Sequence, residues 1–232
     1  VKNVVMIVKK AIESGYDQND IQVLAPVYKG VAGIDALNLA LQEVFNPKED
    51  QDEYRIGQTV YRVGDKILQT KNRPDDDVYN GDIGVLVEIG RKDGFEYLED
   101  TLIVDFDGNF VEYTSYDFLT FTLAYCMSIH KAQGNEFKIV IMPVLDDYYI
   151  MLKRNLIYTG LTRAKQSLFI LGSPKAFLHG IQNVKDAKRK TTLTSKINQE
   201  QSLNLYDFLE EEESSLDESG YQEDLPFEDV PF

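Results

Sequence analysis

Thr122-Leu123-Ala124-Tyr125-Cys126-Met127-Ser128-Ile129-His130-Lys131-Ala132-Gln133-Gly134-Asn135-Glu136 opens as an apolar run and closes as a polar turn. Thr122 to Ile129 has the length and composition of a strand covered on both faces, as in a parallel sheet flanked by helices. Ser128 to Glu136 then gathers hydroxyl, imidazole, ammonium and carboxylate groups. Open α/β sheets take up ligands at the carboxyl ends of their strands, and Gly134 permits close approach of a phosphate or ribose. Read alone, the segment suits equally well a structural strand-to-helix turn with Ser128 as its N-cap.

Outward from this stretch the same grammar continues. Downstream lie an apolar strand at Lys138 to Val144, a helix near Leu152 to Thr162, a strand at Ser167 to Leu171, and Ser173-Pro174 as N-cap and first-turn proline. Upstream, Val1, Val4, Val5, Val8, Ala11 and Ile12 share one helical face, Ile21 to Val27 reads as a strand, and Ile34, Leu37, Leu41 and Val44 form a second helical stripe. The helical pattern starts at Val1 itself, so a preceding segment is expected. Asn46 to Asp52 reads as a connection.

Between about Tyr61 and Leu119 the runs are short, β-branched and aromatic: Lys66 to Lys71, Ile83 to Ile89, Thr101 to Phe106 and Asn109 to Tyr113. Turn signals separate them at Gly64-Asp65, Asn80-Gly81, Asp93-Gly94 and Asp107-Gly108. The expectation is an α/β domain in two parts, residues 1–52 and 121–182, interrupted at 53–120 by a small antiparallel β-barrel of the Src-homology-3 kind. Residues 183–232 follow as a basic and then acidic tail.

That tail dominates the electrostatics. The formal charge is −15, but Asn198 to Phe232 holds 12 acidic and no basic residues, leaving −3 for the rest. The body is therefore nearly neutral and compatible with a polyanionic partner, while the tail is expected to be disordered when free. The one cysteine, Cys126, excludes a disulfide framework and suits a reducing cytoplasm. No charged-then-apolar leader and no apolar run of membrane-spanning length occurs, so a soluble protein is expected.

Two further segments carry chemical groups. Tyr158-Thr159-Gly160-Leu161-Thr162-Arg163-Ala164-Lys165 sets an arginine at a helix end before an apolar strand. Its planar fork suits a transferring phosphate, or equally the neutralisation of a helix C-terminus. Leu24-Ala25-Pro26-Val27-Tyr28-Lys29-Gly30 is a strand followed by a loop with a cation and a glycine, by default a solvated turn.

Together and in this order, the segments resemble the C-terminal half of RecD-like helicases of superfamily 1. Val23 to Gly30 with Ala32-Gly33-Ile34-Asp35 is similar to helicase motif IV, Ser128 to Glu136 to motif V and Tyr158 to Lys165 to motif VI. The likeness covers residues 1 to about 180 and implies a RecA-like (P-loop NTPase type) second motor domain of a 5′ to 3′ DNA helicase using ATP and Mg2+. It implies that Arg163 is the catalytic arginine finger on the γ-phosphate, with Lys29, Gly134 and Glu136 also facing the nucleotide. Ser128 and His130 would touch the DNA strand, and Arg73, Asn80 and Tyr79 in the inserted barrel would help grip it. Lys29 departs from the family's usual arginine and loses bidentate geometry.

No G-x-x-x-x-G-K-[ST] loop occurs in the 232 residues, and Val104 to Gly108 reads as a hairpin and not as a magnesium-binding motif. The expectation is that the N-terminal RecA-like half of the same protein holds ATP and Mg2+ and that this chain alone is inactive, with no metal site of its own. Partners implied are single-stranded DNA and duplex junctions. The ending Leu225-Pro226-Phe227-Glu228-Asp229-Val230-Pro231-Phe232 resembles the C-terminal tip of bacterial single-stranded DNA-binding proteins. Asp229, Pro231 and Phe232 would then dock on proteins that read such tips, or the tail would fold back on the DNA groove. A superfamily 1 RNA helicase fragment and a non-catalytic nucleic-acid-binding adaptor are the alternatives.

Overall fold

Residues buried in unbroken succession build the centre of the molecule, whose computed structural model describes residues 1–92 and 97–184. The Asp93-Gly94 turn, the basic and acidic tail, and the Asp229, Pro231, Phe232 tip lie outside the described residues. Strand β1 (Ile21–Ala25) is buried at every position, and β10 (Phe137–Val144) at every position but Lys138. They form the middle of a parallel sheet of order β11-β10-β1-β9, with β9 (Cys126–Ser128) and β11 (Ala164–Gly172) at its edges.

Alternation along β1 serves two cores. Ile21, Val23 and Ala25 face α1 (Lys2–Glu13) and α2 (Ile34–Phe45), which contribute Val4, Val8, Ala11, Leu37 and Leu41. Leu24 faces the opposite side, where α3 (Arg154–Leu161) and α4 (Pro174–Gln182) bring Leu156, Ile157 and Ala176. Helix α4 begins as its sequence predicts, with Pro174 in the first turn and Ser173 Oγ accepting from Ala176 N at 3.2 Å.

Between α2 and β9 in the chain lies a five-stranded antiparallel sheet of order β7-β6-β5-β4-β8. Its strands are β4 (Lys66–Gln69), β5 (Ile83–Gly90), β6 (Thr101–Phe106), β7 (Asn109–Tyr113) and β8 (Phe121–Leu123). Asp107 and Gly108 both take positive φ, 54° and 94°, the two-residue turn that an Asp-Gly pair favours. Aromatic rings bring the two ends of the ladder together: Tyr113 of β7 lies edge-on to Phe121 of β8 at 4.8 Å, and Tyr113 OH donates to Gln69 Oε1 at 2.8 Å. A separate hairpin, β2 (Glu53–Ile56) with β3 (Thr59–Arg62), precedes this sheet. It was not legible as strands because its residues are mostly charged or half-exposed.

The run Thr122 to Ile129, expected as one strand, is two. Residues up to Leu123 pair with β4 in the antiparallel sheet, and from Cys126 the chain pairs with β1 in the parallel one. Ala124-Tyr125 is the change of sheet, and buried polar side chains complete its hydrogen bonds. Asn38 Nδ2 donates to Leu123 O (3.2 Å) and Cys126 O (2.9 Å) while its Oδ1 accepts from Cys126 N (2.7 Å). Gln22 Nε2 donates to Ala124 O at 3.0 Å and Tyr125 O at 3.2 Å. Tyr125 OH donates to Asp65 Oδ1 at 2.9 Å, and the same carboxylate accepts from Gln42, Asn46 and the Arg62 amide. Burial lifts the Asp65 pKa above the usual carboxylate range against the pull of these donors.

Lys66 completes the junction. Its ammonium is buried and donates to Gln18 O (2.8 Å), Gln22 Oε1 (3.1 Å) and Ile21 O (3.3 Å), all neutral acceptors. Desolvation pulls its pKa down to about 7, and Asp17 and Asp20 oppose the shift.

Two outcomes are expected. Asn38→Leu leaves buried carbonyl and amide groups of the sheet change without partners and destabilises the fold by about 3 kcal/mol in urea unfolding. Lys66 binds fewer protons folded than unfolded between pH 7 and its unfolded pKa of about 10.4. Stability therefore rises with pH from 7 to 8.5, on the order of 1 kcal/mol, until the buried Cys126 thiol, pushed up by burial, opposes it. Lys66→Met, measured across the same window, flattens that rise.

Candidate functional site

The parallel sheet has two ends, and the residues singled out in the sequence divide between them. Ser128 pairs level with Ala25 at the carboxyl end of β1, whereas Ile139 pairs level with Ile21, putting Phe137 below the start of β1. The crossover from Ile129 to Glu136 runs back along the sheet over about 20 Å, at roughly 3.3 Å per residue. It does so in consecutive turns with no helix, against the alternative reading of the segment as a strand-to-helix turn. Ser128 Oγ still accepts from Lys131 N at 3.3 Å, but as a turn brace.

At the amino end sits Arg163, directly after α3, with its carbonyl accepting from Phe137 N at 2.9 Å. Its half-buried guanidinium donates to Asn135 O (Nη1, 3.1 Å), Thr159 O (Nε, 3.2 Å) and Thr162 Oγ1 (Nη2, 3.0 Å). All three partners are neutral, so the charge is oriented but not compensated by them. Gly134 is exposed with φ 91° and open space where a Cβ would stand, and Glu136 pairs with Lys165 at 3.3 Å on the surface. Arg163, Gly134 and Glu136 thus lie at the same end of the sheet.

Lys29 is not with them. It is exposed in the loop that leaves the carboxyl end of β1, on the side of Ser128 and the exposed His130. The loop is drawn tightly onto the start of α2: Ile34 N donates to Val27 O (3.0 Å) and Asp35 N to Tyr28 O (3.1 Å). A Cβ at Gly33 would lie 2.4 Å from Tyr28 O, so only glycine fits there. The expected grouping of Lys29 with Arg163 is corrected: the motif-like loop is fixed to the opposite end of the sheet.

The inserted sheet presents one turn to the crossover. Asn135 Nδ2 donates to Gly81 O at 3.2 Å, and a Cβ on Gly81 would lie 3.6 Å from Lys131 O. Asn80 and the half-exposed Tyr79 stand beside that contact, with Asn80 N held by Asn72 Oδ1 at 2.9 Å. Arg73 is otherwise engaged: Nε pairs with Asp76 at 2.6 Å, Nη1 lies 3.6 Å from Asp117, and the guanidinium stacks 4.6 Å from the Tyr113 ring centroid. Its charge is spent inside the sheet, contrary to the role of a free phosphate grip. Asp77, Asp82 and Asp107 line a cavity of about 540 Å³ beside Asn135, a wall that repels phosphates. Asn135, and Lys131 whose pKa burial lowers, lie within the motif-like segment, but nothing local assigns a role to an amide or lysine in a turn.

Residues 37–106 match the model of the ATP-dependent RecD-like DNA helicase SH3 domain, and residues 123–171 that of the UvrD-like helicase C-terminal domain. The chain is 38% identical over 177 residues to the ATP-dependent RecD2 DNA helicase of Deinococcus radiodurans, covering 76% of this chain and 23% of that protein. It is 29% identical over 186 residues to the RecBCD enzyme subunit RecD of Haemophilus influenzae, covering 75% and 24%. The chain thus spans about a quarter of the length of these relatives. Among solved structures, Bacteroides Pif1 bound to single-stranded DNA aligns with a TM-score of 0.44 at 15% identity, over 79% of this chain and 45% of that one.

Proposed function

We propose, because the chain is the C-terminal region of a RecD-like superfamily 1 helicase, that it is the RecA-like second motor domain of an ATP-dependent 5′ to 3′ DNA helicase of the cytoplasm. The observation that carries this reading is the separation of the two sheet ends. An uncompensated arginine fork with Gly134 and Glu136 lies at one end, and Lys29, Ser128 and His130 lie at the other.

In this reading the amino end closes on a nucleotide held, with Mg2+, mainly by the preceding half of the protein. Arg163 meets the γ-phosphate there and stabilises the charge that spreads over its oxygens during transfer. Glu136 leaves its exposed pair with Lys165 to accept from the ribose. The carboxyl end lies along single-stranded DNA: Lys29 is reassigned there as a phosphate contact beside Ser128 and His130. The inserted unit, a Src-homology-3-like barrel with Phe121–Leu123 as its last strand, adds Asn80 and Tyr79 to the grip. Arg73 serves that grip by holding the turn. The acidic wall keeps the strand on the other side of the turn. Closing and opening of the two motor domains then alternates the grip and advances the strand.

The test uses the full-length protein. Arg163→Ala lowers ATP turnover by about a thousandfold while nucleotide binding and single-stranded DNA affinity stay near the parent's. Lys29→Ala does the reverse, weakening single-stranded DNA and reducing the salt dependence of binding by about one counterion. ATPase near the parent level in Arg163→Ala would sink the assignment.

A further inference from the structure

Asn135 is the one residue of the crossover bonded in both directions at once. Its backbone oxygen accepts from Arg163 Nη1 at 3.1 Å, and its side-chain amide donates to Gly81 O at 3.2 Å. Gly81 in turn belongs to a turn that is stiff within itself: Gly81 N donates to Gln69 O (3.0 Å), Asp82 N to Tyr79 O (3.0 Å) and Tyr79 N to Asp82 Oδ2 (2.7 Å). Gln69 is buried and anchored by Tyr113 OH, so the turn is continuous with the core of the antiparallel sheet. The Asn135 side chain is thus the hydrogen-bonded link from the crossover to the Asn80-Gly81 turn. An open cavity lined by Asp82 of the same turn and by Asn135 itself adjoins the contact.

We infer that Asn135 is a positioning residue that makes the inserted sheet's hold on a nucleic-acid strand depend on the nucleotide state. The inference rests on the reading of Arg163 as a γ-phosphate contact. When the guanidinium turns to a phosphate, its bond to Asn135 O is exchanged, the peptide is released to a new position, and Nδ2 carries Gly81, Asn80 and Tyr79 with it. With ADP or no nucleotide the fork returns to Asn135 and the turn to its present place. The side chain acts only through its donor group. An alanine removes the link to Gly81 and leaves the backbone contact with Arg163 in place.

The experiment measures the affinity of the full-length protein for a labelled oligo-dT strand, with ADP and with a non-hydrolysable ATP analogue. The ratio of the two dissociation constants is the readout, because a general loss of folding or grip changes both alike. In Asn135→Ala the ratio shrinks about fivefold relative to the parent, as expected for one lost hydrogen bond. Asn135→Leu, of similar size but without the donor and without added charge, gives the same shrinkage and guards against a packing effect of alanine. A ratio within twofold of the parent's in both variants overturns the relay. Arg163→Ala in the same series separates the two levels. If it abolishes turnover while both Asn135 variants keep the parent's ratio, the relay alone has failed. If it leaves turnover intact, the underlying reading has failed.

Discussion

The structure depends on one constraint, that the chain must leave the antiparallel sheet and enter the parallel one at Ala124-Tyr125 without stranding a buried backbone group. Both residues are fully enclosed, Ala124 at 0% and Tyr125 at 2% exposure, so water cannot complete their hydrogen bonds. Gln22 Nε2 donates to both carbonyls and the Lys66 carbonyl accepts from Ala124 N, while Asn38 of α2 closes the flanking groups of Leu123 and Cys126. Each of these groups belongs to a different element, Gln22 to β1, Lys66 to β4 and Asn38 to α2. The junction thus fixes α2, both sheets and the connecting strand relative to one another in a way that apolar contacts, which are not directional, do not.

From this anchoring the placement of the site follows. The change of sheet sets where β9 starts, and β9 runs for only three residues, so Ser128 emerges level with Ala25. The next strand begins two residues below the start of β1, with Ile139 level with Ile21, and carries the core of both layers. The crossover has to span that interval with the residues from Ile129 to Glu136, too few for a helix that would return the same distance at about 1.5 Å per residue. A chain of turns is the solution, and it puts Ser128 and His130 at one end of the sheet and Gly134 and Glu136 at the other on a single short segment.

Much of the architecture was legible because its signals are local. Asp107-Gly108 needed two positive φ values, Ser173-Pro174 supplied an N-cap and a first turn, and the unbroken burial of Ile21 to Ala25 appeared as an unbroken apolar run but for Gln22. What could not be read is what depends on partners distant in sequence. Gln22 looks like an interruption until Ala124, 102 residues away, requires its amide. The Thr122 to Ile129 run looks like one strand because both halves are buried, and only the identity of the neighbouring strands divides it. Lys29 and Arg163 each sit in a recognisable motif, but motif order carries no information on which end of a sheet a loop occupies. Arg73 likewise reads as a free cation until Asp76, Asp117 and Tyr113 are seen around it.

The energetic scale of the crossover suits coupling better than rigidity. The buried junction at Ala124-Tyr125 is held by several hydrogen bonds whose loss would cost the desolvation of each group left behind, on the order of 1–3 kcal/mol apiece. The Asn135 contacts are part-buried and single: the amide bond to Gly81 is worth about 1 kcal/mol, roughly a fivefold factor, and the bond from the charged Arg163 guanidinium about 1.5–3 kcal/mol. In the proposed reading that bond is exchanged for one to a phosphate, where both partners carry charge and the guanidinium fork can bind with two parallel bonds. The firm part of the site therefore lies where the sheets join and the exchangeable part where Arg163 meets Asn135. This ordering lets a ligand at one end of the sheet shift the turn clamped to the crossover without loosening the fold that carries both.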